Sequence, residues 1–322
     1  MKHPSPALPR RALGATGLEV TNLCFGTGAL GSVPELFGYE TPEERAVATI
    51  AAALDSPVNF LDTSAGYSRG ESERRIGLAI AQRGGLPDGF VLATKVDPDQ
   101  ATWAYDAAAV RASIEGSLQR LGVDSVPLLY LHDPELISFE AAMAANGPVA
   151  ELQRIRDEGL AAHIGVAGGP VGNLAQFIRT GIFEVLLSHN RFTLLDRTAD
   201  ALFDEAVERG MGVVQGAPFG GGVLAKGLDS TTLYAYQPMN AATRERIARL
   251  ESICDAAGLP LGAAALQFPL RDSRIDSTVA GITRPERIEQ TLDWAAWKIE
   301  PAVWQELEAN AGLDAGLDND PR

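Results

Sequence analysis

The sequence has few cysteines and no long apolar run. Its 322 residues include only two cysteines, Cys24 and Cys254, which lie far apart and belong to no paired motif. Two lone cysteines in so long a chain argue against a disulfide framework and favour a reducing compartment. No segment approaches the ~20 consecutive apolar residues of a membrane span, and residues 1–11 lack the apolar segment of a secretion signal. We therefore expect a cytoplasmic protein without a membrane partner.

Basic residues are also scarce relative to acidic ones. The chain has 27 Lys and Arg against 42 Asp and Glu, a formal net charge of -15. An acidic surface repels phosphate backbones, so we expect no nucleic-acid partner. The sequence has no linker-like or repetitive segment, and its hydrophobic content of 46% suffices for one large core. We expect one domain over residues 1–322, with flexible tails at 1–10 and about 313–322.

Short apolar runs alternate with segments of helical periodicity, which predicts a βαβ chain. The predicted strands are 22–25, 58–62, 90–95, 128–132, 163–166, 185–188, 212–215 and 277–280. The predicted helices include 71–82, 106–121, 149–158, 241–257, 261–271, a first helix to about 54 capped by Thr41, and a final helix after Pro301. Extended segments near 11–13 and 18–20 predict a hairpin before the first strand. The pattern favours a (β/α)8 TIM barrel with an N-terminal β-hairpin and extra C-terminal helices.

One motif favours a different α/β fold. Residues 26–31 read G-T-G-A-L-G and match the G-x-G-x-x-G pattern of doubly wound dinucleotide-binding folds. That pattern belongs at the start of a helix, and no helix is predicted directly after it. A lone match of this kind is weak support, so the barrel remains the preferred fold.

Four polar residues end, or closely follow, predicted strands. Asp62, Lys95 and His132 each end an apolar run, and Tyr67 follows Asp62 by five residues. In parallel α/β folds, ligands bind at the carboxyl ends of the strands, so these side chains should meet at one rim. A lysine cation lowers the pKa of a nearby tyrosine from its usual ~10. An aspartate would hold the lysine, and a histidine would bind the reacting oxygen. The set predicts proton transfer at a carbonyl or alcohol oxygen.

The segments around these residues resemble the signature of the aldo-keto reductase superfamily. The matching segments are D-T-S-A-G-Y at 62–67 with G-E-S-E at 70–73, A-T-K at 93–95, L-Y-L-H at 129–132, and 164–166, 192–196, 217–219, 222–224 and 285–288. The resemblance spans about residues 11–297. It implies a (β/α)8 barrel, catalytic roles for Asp62, Tyr67, Lys95 and His132, a small-molecule substrate, no metal, and a nicotinamide cofactor (NAD or NADP) extended across the rim.

The resemblance also implies which residues contact the cofactor. They are Gly26, Thr27, Asp62, His189, Ala217, Pro218, Phe219, Gly220, Gly222, Leu224, Gly281, Ile282, Thr283, Arg287, Gln290 and Thr291. His189 is equally well interpreted as a buried, hydrogen-bonded side chain. Trp103 and Asp133 are candidate substrate contacts, although Trp103 would equally suit packing on the third helix.

The chain departs from the common reductase pattern at several cofactor positions. Residues 167–168 are Ala-Gly instead of Ser-Asn, His189 replaces a glutamine, and Gly216 replaces an aromatic residue. Gly281 falls near the position of the lysine that grips the adenosine phosphate of NADPH, whereas Arg287 is kept. We therefore expect NAD to be favoured, with dual use open.

Together with H-D-P-E at 132–135, these departures resemble the aldose dehydrogenase branch of the superfamily. That branch oxidises an aldose of the L-fucose or D-threo-aldose type at its anomeric carbon to a lactone. The alternative enzyme function is a general NAD(P)H-dependent aldehyde or ketone reductase, including pyridoxal-type substrates. A cofactor-sensing accessory subunit is the non-enzyme alternative, and the complete catalytic set favours an enzyme. The sequence leaves the oligomeric state open.

Overall fold

A closed parallel barrel forms the centre of the molecule. The computed structural model describes residues 8–34, 38–312 and 314–317. Its strands are β1 (Arg10–Ala12), β2 (Glu19–Thr21), β3 (Leu23–Gly26), β4 (Phe60–Asp62), β5 (Val91–Val96), β6 (Val126–His132), β7 (Ala161–Gly168), β8 (Val185–His189), β9 (Gly212–Gly216), β10 (Leu233–Tyr234), β11 (Gln237–Pro238) and β12 (Ser277–Gly281). Strands β3 to β9 and β12 close the barrel with every neighbouring pair parallel, which confirms the predicted fold class.

Helices surround the barrel and follow its strands. They are α1 (Glu43–Leu54), α2 (Glu71–Arg83), α3 (Ala107–Leu121), α4 (Phe139–Ala142), α5 (Pro148–Asp157), α6 (Val171–Ile178), α7 (Asp200–Glu208), α8 (Val223–Lys226), α9 (Ala241–Ala256), α10 (Leu261–Leu270), α11 (Pro285–Ala295) and α12 (Pro301–Asn310). The strand and helix bounds given above for the sequence agree with these to within two residues. Among the described residues no single helix is long and apolar enough to cross a bilayer; α9 and α10 pass that test only as a pair, bent by 102°.

The apolar side chains form two cores, one inside the barrel and one between the strands and the helices. Because both faces of a strand such as β6 are buried, Leu128 and Tyr130 point inward while Leu129 and Leu131 pack under the helices. This explains why the strands read as continuous apolar runs. The inner core fills the barrel below the rim that carries the polar residues.

The N-terminal hairpin of β1 and β2 closes the far end of the barrel. Its residues Leu13 and Val20 are fully buried against the inner core. Gly14 has a positive φ of 52°, and a Cβ there would lie 2.1 Å from the backbone nitrogen of Gly212. A side chain at this position would therefore push the hairpin away from β9.

The described parts of the two predicted tails contact the rest of the protein. The carbonyl oxygen of Pro9 accepts a hydrogen bond from the backbone N–H of Asn22 at 2.9 Å. At the other end, the N–H of Ala315 donates to Asp196 Oδ2 at 2.9 Å. Residues 1–7, 313 and 318–322, the rest of those predicted tails, lie outside the described residues.

The predicted cap of α1 is wrong. Pro42, with φ -58° and ψ 147°, occupies the cap position, and its carbonyl oxygen accepts from the N–H of Ala46 at 3.0 Å. Thr41 therefore lies one residue outside the helix, and its Oγ1 is buried without a hydrogen-bond partner. The extended ψ of Pro42 moves the first helical turn one residue along the chain.

Candidate active site

Adjacent strands carry the four predicted catalytic residues to one rim. Asp62 ends β4, His132 ends β6, and Lys95 is the penultimate residue of β5 between them. Tyr67 lies in the turn after β4. Lys95 Nζ donates to Asp62 Oδ1 at 2.6 Å and to Tyr67 Oη at 3.2 Å. The Tyr67 and His132 rings meet edge to face with centroids 5.9 Å apart. The structure thus brings all four side chains together.

Lys95 is the buried cation of the site. Its side chain is 1% exposed, and its third hydrogen bond goes to the carbonyl oxygen of Thr63 at 2.7 Å. Burial alone would lower the pKa of Lys95, but the charge of Asp62 and the contact with Tyr67 raise it well above its usual value. All three ammonium N–H groups therefore have acceptors, and the lysine is a fixed cation.

The pKa of Tyr67 differs from the prediction. Burial is the largest effect and raises it, Lys95 lowers it as predicted, and the negative charge of Asp62 raises it again. The net result is a phenol whose pKa lies well above 10, so the prediction of a net lowering is wrong. The reason is that the paired aspartate cancels much of the lysine field, while the pocket desolvates the phenolate.

His132 has a partner that the sequence analysis missed. Its Nδ1 lies 2.7 Å from Asp97 Oδ1 and 3.2 Å from Ser64 Oγ. Burial acts to lower the pKa of His132, but the carboxylates of Asp133 and Asp97 together raise it to about 9. The two carboxylates therefore favour the protonated form of the imidazole. Asp97 lies two residues beyond Lys95, and the period of two along a strand was the signal that it faces the same site.

Asp133 lies between two histidines at the same rim. Its Oδ1 is 3.7 Å from His132 Nε2 and 3.7 Å from His189 Nε2, too far for a hydrogen bond. That oxygen is buried and has no hydrogen-bond partner. Burial acts to raise the pKa of Asp133, but the two histidines hold it below its usual range. The site therefore contains a charged acceptor that a ligand hydroxyl would satisfy.

A cavity of about 780 Å³ opens above these residues. Tyr67, Lys95, His132 and Asp133 line it, and so does Trp103, whose side chain is 71% exposed at the cavity. Seven of the nine described non-glycine residues with positive φ line the same cavity: Ser68, Arg69, Trp103, Asp133, Asn190, Ala217 and Tyr236. Left-handed backbone costs about 1–3 kcal/mol per residue and concentrates at functional sites.

Some of the predicted cofactor contacts lie at this cavity and others beside it. Asp62, His189 and Ala217 line the cavity. Gly26 ends β3, and Thr27 follows it with a buried hydroxyl that donates to the carbonyl oxygen of Asp62 at 3.0 Å. Thr27 therefore supports the rim from below. A contact between Gly26 or Thr27 and a cofactor stays a prediction.

The remaining predicted cofactor contacts lie in the segment after β9, at the end of β12 and in the segment after β12. They are Pro218, Phe219, Gly220, Gly222, Leu224, Gly281, Ile282, Thr283, Arg287, Gln290 and Thr291. Gly220 needs to be glycine, because its φ is 55° and a Cβ would lie 2.3 Å from the ring of Tyr234. At Gly281 a Cβ would meet nothing within 4 Å, so the position of the missing lysine is open.

A group of three cations lies around the start of α11. Arg287 stacks over the ring of Trp294 at 4.5 Å, and Lys226 lies 5.2 Å from the ring centroid of Tyr39. Burial and the charge of Arg284 lower the pKa of Arg287; burial, Arg287 and Arg284 lower that of Lys226. Cations that lower one another's pKa are stabilised by a nearby anion. The N-terminus of a helix also favours an anion.

The residues fit a nicotinamide dinucleotide. Asn190 lines the cavity, and its buried Oδ1 has no hydrogen-bond partner, which suits the N–H₂ of a ring carboxamide. Lys226, Arg284 and Arg287 suit phosphate groups. Among the described residues no group of three or more His, Cys, Asp or Glu side chains is placed to hold a metal ion.

The side chains at the rim can move a proton to or from an oxygen, and the residues beside them fit a dinucleotide. Both features are typical of the class of NAD(P)-dependent oxidoreductases that act on CH–OH or C=O groups. Comparison with known families gives the same answer. The model described as "Aldo/keto reductase family" matches residues 22–311, and the chain belongs to that family.

Curated relatives include three dehydrogenases of about the same length. D-threo-aldose 1-dehydrogenase of a Pseudomonas species is 30% identical over 92% of this chain and 95% of its own. L-galactose dehydrogenase of Arabidopsis thaliana is 30% identical, with 88% and 86% covered. Pyridoxal 4-dehydrogenase of Microbacterium luteolum is 30% identical, with 94% and 97% covered.

Proposed function

We propose that the protein oxidises an aldose at its anomeric carbon to a lactone, with a nicotinamide dinucleotide as the oxidant. The observation that carries the proposal is the buried, unpartnered Oδ1 of Asp133, which lies between His132 and His189 in the cavity that Tyr67 also lines. A polyhydroxylated ring supplies the hydrogen-bond donors that this acceptor lacks, whereas an apolar aldehyde would leave it unsatisfied at a cost of about 1–3 kcal/mol. The names of two of the relatives, an aldose and an L-galactose dehydrogenase, support the same substrate class.

The chemistry follows from the geometry of the rim. The anomeric carbon of a cyclic aldose already bears one hydroxyl and one hydrogen. Tyr67 Oη takes the hydroxyl proton, and Lys95 stabilises the phenolate that Tyr67 must become beforehand. His132 donates a hydrogen bond to the same oxygen. The O–H and C–H bonds break and a C=O bond forms. A bound nicotinamide would supply the acceptor for the hydrogen and its electron pair.

A second enzyme function, carbonyl reduction, is supported by the raised pKa of Tyr67. A phenol that keeps its proton at neutral pH is an acid, and reduction of an aldehyde needs an acid at the new alkoxide. The same residues serve both directions by microscopic reversibility. The two proposals differ in the substrate: a neutral sugar ring for the first, a simple or pyridoxal-type aldehyde for the second.

A substrate panel tests the choice between them. Purified protein is assayed with L-fucose, L-galactose and D-arabinose plus NAD or NADP, and with aromatic aldehydes and pyridoxal plus the reduced cofactors. Aldose oxidation is expected, with lactone trapped by hydroxylamine as the product. The Tyr67→Phe variant is the matched control for contaminating activity. Efficient reduction of aromatic aldehydes with no oxidation of any aldose would contradict the first proposal and support the second, carbonyl reduction.

We propose that NAD is favoured and that NADP is also accepted. Gly281 removes one charge-assisted contact to a 2′-phosphate, while Lys226, Arg284 and Arg287 offer partial compensation. The ratio of kcat/KM for the two cofactors tests this. Arg284→Ala should reduce kcat/KM with NADP more than with NAD. A strong NADP preference in the wild type would contradict the proposal.

A further inference from the structure

Asp97, in the loop after β5, lines the same cavity, and both oxygens of its carboxylate have hydrogen-bond partners. Its Oδ1 accepts from His132 Nδ1 at 2.7 Å, and its Oδ2 accepts from the backbone N–H of Gly66 at 2.6 Å and from the hydroxyl of Ser64. The side chain is 14% exposed. These bonds come from two separate segments of the chain, the turn after β4 and the end of β6, so the position of the carboxylate is fixed.

The backbone of His132 is held as firmly as its ring. Tyr105 Oη donates to the carbonyl oxygen of His132 at 2.5 Å and accepts from its N–H at 3.1 Å. With Nδ1 bonded to Asp97, the remaining ring nitrogen Nε2 is left for the cavity that His132 lines. A neutral imidazole with its proton on Nδ1 presents only a lone pair at Nε2. Only the imidazolium offers an N–H to a ligand there.

The charged and titratable groups around the ring come from every neighbouring segment. They are Lys95 on β5, Tyr67 after β4, Asp97 after β5, Tyr105 before α3, Asp133 after β6, and His189 at the end of β8 beyond Asp133. Two carboxylates therefore face the imidazole against one lysine, and the lysine is already paired with Asp62. This balance favours the cationic form.

We propose that Asp97 is a positioning residue that holds His132 as an imidazolium, with Nδ1–H on the carboxylate and Nε2–H directed at the substrate oxygen. The inference rests on the proposed function, because it assigns the state of a group that acts there. A charged N–H donor binds a developing oxyanion about twice as strongly as a neutral one. Asp97 acts through His132 and does not touch the substrate oxygen.

Titration of His132 tests the proposal without any substrate. The ring signals of the histidines are followed by NMR between pH 5 and 11 in the holoenzyme, and His132→Asn identifies the signal. Wild-type His132 should titrate near pH 9. In Asp97→Asn the midpoint should fall by at least about 1 pH unit toward the ordinary ~6.5. A wild-type midpoint at or below 6.5 would overturn the proposal even if the variant fails to fold. An unchanged midpoint in the variant would do the same.

Kinetics separate positioning from a merely structural role. Asp97→Asn should lower kcat by about tenfold or more and leave the cofactor dissociation constant unchanged. In the His132→Asn background the same change should cost little more, because residues that act together are not additive. Asp99→Asn, an exposed Asp-to-Asn change two residues away, is the matched control. An equal loss in both backgrounds would refute action through His132. If no aldose is oxidised but His132 titrates as expected, only the proposed substrate fails.

Discussion

Tyr67 is held between a buried cation and a buried anion, and the two have opposite effects on its proton. The lysine contact is 3.2 Å, and the aspartate lies on the far side of the ammonium. The raised pKa therefore favours the phenol form of Tyr67 over the phenolate at neutral pH. Lys95 offsets only part of the effects of burial and of Asp62, which both oppose loss of the proton.

Tyr67→Phe removes the proton-transfer group and little else. The ring stays, so the edge contact with His132 and the packing at the cavity survive. We expect turnover to fall by about 100-fold or more, with cofactor affinity unchanged. Steady-state kinetics and a fluorescence titration of the cofactor are the measurements. Near-normal turnover would contradict the proposed role of Tyr67 in proton transfer.

Lys95→Met tests whether the lysine works through the tyrosine. We expect a loss of turnover close to that of Tyr67→Phe, and little further loss in the double variant. The change also leaves the buried Asp62 without its cation, which costs about 3–5 kcal/mol of stability. Rates are therefore compared below the melting transition of the variant, located by circular dichroism. Additive losses would show that the two residues act independently.

The charge of His132 links stability to pH. Its pKa in the folded protein is about 9, above the ordinary ~6.5 of an unfolded chain. A group whose pKa is raised by folding stabilises the protein fully below the unfolded value, and this contribution is lost as the pH rises through about 9. Urea unfolding at pH 6, 8 and 10 measures the loss. His132→Asn should lack this component, and equal pH dependence in both proteins would contradict the assignment.

The strands and helices were the most predictable part of the molecule, and the reason is their burial. A strand buried on both faces, such as β6, has no polar alternation and appears as an unbroken apolar run, which leaves its polar end residue conspicuous. His132 was found this way. Asp97 was missed because it stands in a polar loop, D-P-D-Q, where only its spacing of two residues from Lys95 distinguishes a paired carboxylate from a solvated one. The sign of the Tyr67 pKa shift depends on burial and on the Asp62 distance, which the sequence does not contain.

The hairpin of β1 and β2 should contribute stability without affecting the chemistry. Leu13 is fully buried at the end of the barrel opposite the rim. Leu13→Ala should lower the free energy of unfolding by about 2–5 kcal/mol, from lost burial and the cavity left behind, with KM unchanged. Val207→Ala is the control, because Val207 is 46% exposed and its truncation should cost little. Chemical denaturation gives both values. A loss for Leu13→Ala no larger than for Val207→Ala would mean that the hairpin does not close the barrel tightly.

The whole molecule has a net charge of -15, and three of its cations are gathered around the start of α11. Neutral substrates do not respond to this field, whereas anionic ones are repelled until salt screens it. With cofactor saturating, kcat/KM for a neutral aldose should stay constant between about 10 mM and 200 mM salt. For an aldose phosphate or sugar acid it should be lower and rise with salt. The opposite trend for the anion would indicate a local attractive field at the substrate end.

The hairpin at the far end of the barrel also limits how ligands enter and leave the site. The inner core fills the barrel below the rim and the hairpin covers its far end, so no passage runs through the barrel. A substrate therefore reaches Tyr67, and a product leaves, through the cavity above the rim, so a product that is still bound blocks the next substrate. A ligand that covers the opening of the cavity prevents a molecule bound below it from leaving. Product release, and not the chemical step, is then the step that would be slow for a bulky sugar.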